Sequence, residues 1–229
     1  MKTLVIIPAY NEQDNILNTV HDIEENCPGV DFVVINDCSR DNTERILTEN
    51  GIRHISLPCN LGIGGGVQTG YRYALENGYD IAIQFDGDGQ HDARYLKDLM
   101  APIERNEADI AVGSRYIVKA GFQSTGLRRF GISFLNHLIR LMCGVHVLDV
   151  TSGMRAVNRR FIEAYALEYA QDYPEPEALV MAAVKGARIV EVPVEMRQRQ
   201  GGSSSISPLR SVYYMIKVSL ALILARFSS

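Results

Sequence analysis

Three apolar runs of this chain end in acids. VIIPAYNE closes on Glu12, VVINDCSRD carries Asp37, and IAIQFDGDGQHD sets Asp86, Asp88 and Asp92 close behind one another. An ionised carboxylate is costly to bury, and several at one place repel each other unless a cation or hydrogen-bond donors offset them. A divalent ion is the simplest explanation, and hard oxygen ligands with a preference for substrate phosphates point to Mg2+ or Mn2+. Asp86 and Asp88 flank Gly87 in an Asp-x-Asp triplet, where a glycine lets a ligand approach the backbone. Asp92, just before ARYLKDLMAPI, has the place of a helix cap, and His91 is left without a role.

Two further patterns suit a phosphate. NLGIGGGVQTG (60–70), with Gly62 and Gly65, puts glycines where a helix starts, which favours close approach of a phosphate or flat ring and equally favours tight helix packing. It is neither a GxGxxG nor a GxxxxGK(S/T) pattern. Arg115 in GSRY, Arg155 in TSGMR, and Arg197 and Arg199 in MRQRQGG fall at strand ends or loop starts, where guanidinium forks can hold a diphosphate or simply face water.

The frame that must position these residues is an α/β one. TLVIIP (3–8), DFVVIN (31–36), IRHISL (52–57), DIAIQF (80–85) and DIAVGS (109–114) alternate with longer amphipathic stretches, the pattern of βα units around a largely parallel sheet. Ligands of such sheets bind outside the carboxyl ends of the strands, so Glu12, Asp37, Asp86 and Asp88 are expected along one edge. Asn11 with Asp14, Asp41 with Glu44, and Asp92 are expected N-caps, Gly51 and Gly78 C-caps. Beyond Arg115, helices are expected at 127–144, 158–170 and 174–186, forming a wall over the sheet before a last strand in 187–197.

At 229 residues and 46% hydrophobic content the chain can bury the core of one α/β domain. A net charge of −4 leaves no broad basic field, so nucleic acid is not an expected partner. The first residues read as a strand and not as a signal peptide. Cys27, Cys38, Cys59 and Cys143 form no CxxC pair, which fits reduced thiols in a cytoplasmic setting. GGSSSIS (201–207) reads as a mobile loop. The segment from 208 to 229 is apolar between Val212 and Leu224 apart from Lys217 and Ser219, shorter than the roughly 20 residues that span a bilayer. It is expected to form an amphipathic, apolar helix that docks on the domain, a membrane surface or a partner. The expected division is a catalytic domain at 1–207 and this associating helix at 208–229.

PAYNE (8–12), INDCSRD (35–41), NLGIGGGVQTG, DGDGQH (86–91), GSRY (113–116) and DVTSGMRAVNR (149–159), in that order, resemble the family 2 glycosyltransferases of the Rossmann-like GT-A fold over about residues 1 to 205. The resemblance implies that Pro8, Tyr10 and Glu12 line a nucleotide pocket, that Asp37 contacts base or ribose, and that Asp86 lies beside the sugar nucleotide. It also implies a metal held by Asp88, with Gln90 as a further ligand. Among subgroups the chain is most similar to polyprenyl-phosphate sugar synthases such as dolichyl-phosphate mannose synthase, where Arg115, Arg155 and the loop from Arg199 to Ser203 match phosphate-binding positions. Two features depart from that subgroup: the loop reads RQRQGGSSSIS where GxSK is usual, and no transmembrane pair follows the catalytic domain. The second departure implies a peripheral enzyme on the inner face of the membrane, docked on a small membrane partner protein.

The acceptor decides what else the site needs. A lipid phosphate, with a second pKa of about 6, is already anionic and needs no base, whereas a sugar hydroxyl does. Asp172, Glu175 and Glu177 in DYPEPEALV are the candidate bases, with Glu177 assigned the catalytic place, although acids at a helix start are also favoured by its dipole. The 127–143 helix mixes Phe130, Phe134, Leu138, Leu141 and Met142 with Arg128, Arg129, His137 and Arg140, a composition suited to an anionic lipid surface and equally to a core helix with a basic outer face. Arg128 joins Arg155, Arg197, Arg199 and Ser203 as expected acceptor or diphosphate contacts. The expected reaction is inverting, metal-dependent sugar transfer from a nucleotide sugar to a polyprenyl phosphate. The rival readings are transfer to a hydroxyl of a lipid-linked saccharide, a non-catalytic nucleotide-sugar binding module, and a nucleotidyltransferase.

Overall fold

Leu4, Val5, Ile6 and Ile7 of the first strand are all fully buried, and alternate residues enter two different cores. Leu4 and Ile6 join Val33, Ile35 and Ala82 on one face of the sheet; Val5 and Ile7 join Val34, Ile81 and Ile83 on the other. A strand covered on both faces has no need of polar alternation, which is why these runs are continuously apolar. The computed structural model describes residues 1–118, 126–171, 174–197, 217 and 219–220, with only the backbone of 126–130.

In chain order the elements are β1 (Thr3–Ala9), α1 (Ile16–Asn26), β2 (Asp31–Asn36), α2 (Thr43–Glu49), β3 (His54–Ser56), α3 (Gly62–Glu76), β4 (Ile81–Gln84), α4 (Leu96–Glu104), β5 (Ile110–Ser114), α5 (Gly126–Cys143), β6 (Arg155–Asn158), α6 (Arg159–Leu167), α7 (Pro174–Val184) and β7 (Ile189–Pro193). The seven strands form one sheet in the order β3-β2-β1-β4-β6-β5-β7. Strands β1, β2, β3 and β4 run parallel, as do β5 and β7. The sheet departs from the sequence expectation at β6, which runs antiparallel to both β4 and β5. At four residues, RAVN is too short to carry a periodic signal, and its last residue also caps α6, Asn158 Oδ1 accepting from the Phe161 amide at 3.3 Å.

The caps sort into kept and corrected. Gly51 and Gly78 have φ of 63° and 71°, the left-handed geometry that ends a helix. Asp92 accepts from the Arg94 amide at 3.0 Å, so it does start the next helical turn. Asn11 does not cap α1: it lies in a left-handed turn at φ 57°, and the helix begins at Ile16, after the Glu12 carbonyl has collected the amides of Asn15 and Ile16. Asp41 accepts from the Thr43 amide at 2.9 Å and from the Gln13 amide at 3.1 Å, tying the start of α2 to the β1–α1 turn. The 201–207 loop and, apart from residues 217, 219 and 220, the 208–229 segment lie outside the described residues. Among the described residues no helix is long and apolar enough to cross a membrane.

Candidate active site

The carboxyl ends of β1, β2 and β4 open onto a cavity of about 400 Å³, within the range of small-ligand sites. Glu12, Asp37, Asp86 and Asp88 all line it, together with Pro8, Tyr10 and Gly62. Parallel pairing of β1 with both β2 and β4 puts these three loops side by side.

Each acid is held differently. Asp37 spends both oxygens on the first amides of α3, accepting from Leu61 at 2.7 Å and Gly62 at 2.8 Å, which fixes the helix start against the end of β2. Glu12 is buried and accepts from Asn15 Nδ2 at 2.8 Å. Asp88 folds back to accept the Gln90 amide at 3.1 Å. Asp86 is clamped by its surroundings: its amide donates to His91 Nδ1 at 2.9 Å, its Oδ1 accepts from Gln84 Nε2 at 3.3 Å, and a Cβ on Gly153 would stand 2.5 Å from its Oδ2. The donor at Nδ1 puts the proton of neutral His91 on Nε2, which faces Asp86 Oδ2 at 3.6 Å. His91 is 2% exposed and packs edge-on against Phe85. The histidine left unassigned by its sequence is therefore a support for the Asp86 loop.

Behind Asp86 lies a buried polar cluster from the second half of the chain. Burial and the nearby Asp86 carboxylate push the Glu175 carboxyl up, against the opposing pull of the Arg155 charge and a hydrogen bond from Gln84. Arg155 is fully buried; its guanidinium donates to the carbonyls of Glu175 at 2.9 Å and Ser152 at 3.2 Å, so as placed it braces the start of α7 instead of facing the cavity. Tyr71, Tyr165 and Tyr169 surround it, their hydroxyls kept protonated by burial. Of the acids at the start of α7, Glu175 is a neighbour of Asp86, and neither it nor Glu177, to which the sequence reading gave the catalytic place, is among the residues lining the cavity.

The remaining expected site residues divide. Arg115 forms a buried fork with Asp149, at 2.6 and 2.7 Å, and reaches Thr151 at 3.1 Å. Arg197 turns away from the cavity to Asp22 and Asp92 on α1 and the α4 start, while its backbone amide donates to the Gln90 carbonyl at 2.8 Å. The Gln90 side chain donates to the Arg197 carbonyl at 3.5 Å and does not line the cavity. Gly65 is a packing position, since a Cβ there would meet the Leu61 side chain at 2.4 Å. Gly64 faces the 170–171 backbone and Gly70 faces Ile6, so much of this glycine run serves helix packing, while Gly62 and Gly66 border the cavity. Arg199, Ser203, Asp172 and the Arg128 side chain lie outside the described residues. Sequence reasoning missed Asn60, Ile63, Gln84, Asp149 and Gly153; the last two stand in the DVTSGMR motif, while nothing local marks Gln84.

A mostly parallel sheet whose strand ends gather four carboxylates around an open cavity is the plan of a nucleotide-binding α/β enzyme of the GT-A fold. The family description "Glycosyl transferase family 2" matches residues 4–166, and the chain belongs to that family and is a glycosyltransferase. A polyprenol monophosphomannose synthase of Mycolicibacterium smegmatis is 30% identical over 228 residues, covering 95% of this chain and 86% of that protein. An undecaprenyl-phosphate mannosyltransferase of Micrococcus luteus is 31% identical over 216 residues, covering 90% and 88%. The glucosyl-3-phosphoglycerate synthase of Mycobacterium tuberculosis, solved with Mn2+, UDP-glucose and phosphoglyceric acid, shares the fold with a TM-score of 0.74 at 20% identity, over 98% of this chain and 79% of that one.

Proposed function

We propose that this glycosyltransferase moves a sugar from a UDP- or GDP-sugar to a polyprenyl phosphate, with inversion, for cell-envelope glycan synthesis at the cytoplasmic face of a membrane. The observation that carries the reading is the cavity in which Asp86 and Asp88 meet Glu12 and Asp37 at adjacent strand ends. The names of the mannosyl-transferring relatives support the acceptor. An acceptor phosphate oxygen attacks the anomeric carbon of the donor, the bond from that carbon to the diphosphate breaks, and the nucleoside diphosphate leaves. A phosphate is already anionic, so this step asks for no general base.

The donor set fits a divalent ion. Asp88 with Asp86 beside it offers hard oxygens on an open cavity, and Mg2+ or Mn2+ needs only one or two carboxylates when substrate phosphates complete its shell. Among the described residues no group of three His, Cys, Asp or Glu is placed to hold a metal by itself, so substrate phosphate would have to complete such a site. Held there, the ion would supply charge neutralisation to the leaving diphosphate. Gln90 as placed is engaged with Arg197 and is not part of this set. On the acceptor side, exposed Phe134 and Leu141 beside Arg140 on α5 support contact with a lipid surface, and the 208–229 segment is proposed to add to it, with or without a small membrane partner protein.

The position of Glu175 favours one second reading, transfer to a hydroxyl with Glu175 as base. One assay separates the two. Sugar radiolabel from a UDP- or GDP-donor panel should enter the lipid extract with Mg2+ or Mn2+ and polyprenyl phosphate, and Asp88→Asn should abolish it. If Asp88→Asn turns over normally, the metal role is wrong. If Glu175→Gln abolishes transfer while the donor still binds, the acceptor is a hydroxyl.

A further inference from the structure

The amide of Gln84 is a neutral group placed between two acids of the site. It is the last residue of β4, fully buried, and paired in register with Ile6 on one side and Arg155 on the other. Its Nε2 donates to Asp86 Oδ1 at 3.3 Å and its Oε1 accepts from the Tyr169 hydroxyl at 3.4 Å, while the same side chain neighbours the Glu175 carboxyl and favours its ionised form. The tyrosine sets the amide's orientation: a hydroxyl donor at Oε1 turns the two Nε2 hydrogens toward the carboxyls. No other uncharged side chain of this length both donates twice and accepts once. Leucine would take the amide donor from the acids and leave the tyrosine without an acceptor, and glutamate would add a third carboxylate to a pair that already repels.

We infer that Gln84 is a positioning residue of the transferase, the bridge that holds the Asp86 carboxylate in its place on the donor cavity by tying it to Glu175. It touches no substrate itself; it acts through Asp86, whose other side is closed by Gly153 and whose amide is held by His91. The end of β4 and the distant α6–α7 connection, with Tyr169 after α6 and Glu175 at the start of α7, are thereby registered on a single amide. Asp86 is thus fixed before the donor arrives, as a preorganised site requires.

The inference rests on the proposed cavity and on a phosphate acceptor, since with a hydroxyl acceptor Glu175 would be the base that its exchange for glutamine removes. Its test compares Gln84→Glu, Gln84→Leu and the exchange Gln84→Glu/Glu175→Gln, which restores one amide and two carboxyls in swapped places. For each variant, kcat and KM for the donor are read beside calorimetric affinity for the nucleoside diphosphate with Mn2+ and the melting temperature. Should the wild type transfer nothing to polyprenyl phosphate, the proposed acceptor has failed, and Gln84→Leu, which leaves Glu175 in place, carries the comparison through slow donor hydrolysis by water. The expected result is a loss of about tenfold or more in kcat for Gln84→Glu, with nucleoside diphosphate affinity nearly unchanged, and recovery of most of that loss in the exchange. A purely structural role would move affinity, melting temperature and kcat together and would show no rescue. The inference is overturned if the exchange is as slow as Gln84→Glu alone, or if Gln84→Leu turns over like the wild type. If Gln84→Leu does not fold, the glutamate variant and its exchange decide the matter.

Discussion

At the scale of single residues, the site depends on what is kept small as much as on what is charged. The Gly153 Cα faces the Asp86 carboxylate so closely that a Cβ would stand 2.5 Å from Oδ2 and 2.9 Å from Oδ1. The obstacle is the far end of a side chain that is 34% exposed and held by hydrogen bonds, so it yields before the backbone does. Gly153→Ala should therefore fold normally with its melting temperature little changed, while displacing the one carboxylate that Gln84 and His91 hold. A misplacement of that kind costs about ten- to a hundredfold in turnover. Kinetics beside a thermal melt test it: a variant that loses stability but keeps its rate would mean that the backbone gives way and Asp86 stays. Asp37 makes the complementary point, since each of its oxygens accepts an amide at the start of α3, which fixes where Gly62 stands on the cavity.

At the scale of elements, α3 owes its position to glycine. A Cβ on Gly70 would lie 2.1 Å from Ile6 Cγ2, and Ile6 is fully buried in the central strand and has nowhere to go. Two effects of Gly70→Ala oppose each other: helix propensity gains about 1 kcal/mol, and overpacking of a filled core costs about 1–3 kcal/mol. The closeness of the clash makes the second win, so denaturant unfolding should show a net loss of about 1–2 kcal/mol. Gly66→Ala is the control, because its Cβ would have 3.8 Å of room beside Pro8 and should leave stability equal or higher. The same packing explains which elements were legible beforehand. Strands β1, β2, β4 and β5 stand out in the sequence because burial on both faces makes them apolar runs, while the edge strand β3 shows only alternate apolar residues; an acid after a buried strand is a local pattern, so Glu12, Asp37, Asp86 and Asp88 are found together. Strand β6 was not legible: four residues carry no period, and its antiparallel direction is set by β4 and β5. Nor were the fates of the arginines. Whether Arg115 faces a phosphate or Asp149, 34 residues away, is decided by tertiary contacts that no local motif encodes.

At the scale of the whole molecule, chemistry and acid stability lie at opposite ends of the sheet. The cavity occupies the carboxyl ends of β1, β2 and β4, while Asp109, just before β5, gathers the other end: it accepts from the Arg188 amide at 2.8 Å, from the Arg188 guanidinium at 3.0 Å and from Asn158 Nδ2 at 2.8 Å. One carboxylate thus ties the start of β5 to the start of β7 and the end of β6. The Arg188 hydrogen bond outweighs burial and holds the Asp109 carboxyl below its ordinary 3.8. A group depressed in the folded state contributes stability above its unfolded pKa and loses it as pH falls through the folded one. The window for this contribution therefore begins near pH 4 and closes below it. Asp109→Asn should cost about 1–3 kcal/mol at pH 7, and the gap to the wild type should narrow as unfolding is repeated toward pH 3. Half-exposure of the Arg188 side chain means that added salt should also trim the gap at neutral pH. Sugar transfer at pH 7 should be unaffected, because no part of this tie reaches the donor cavity. A gap that stays constant with pH would assign the cost to packing around residue 109 and not to its charge.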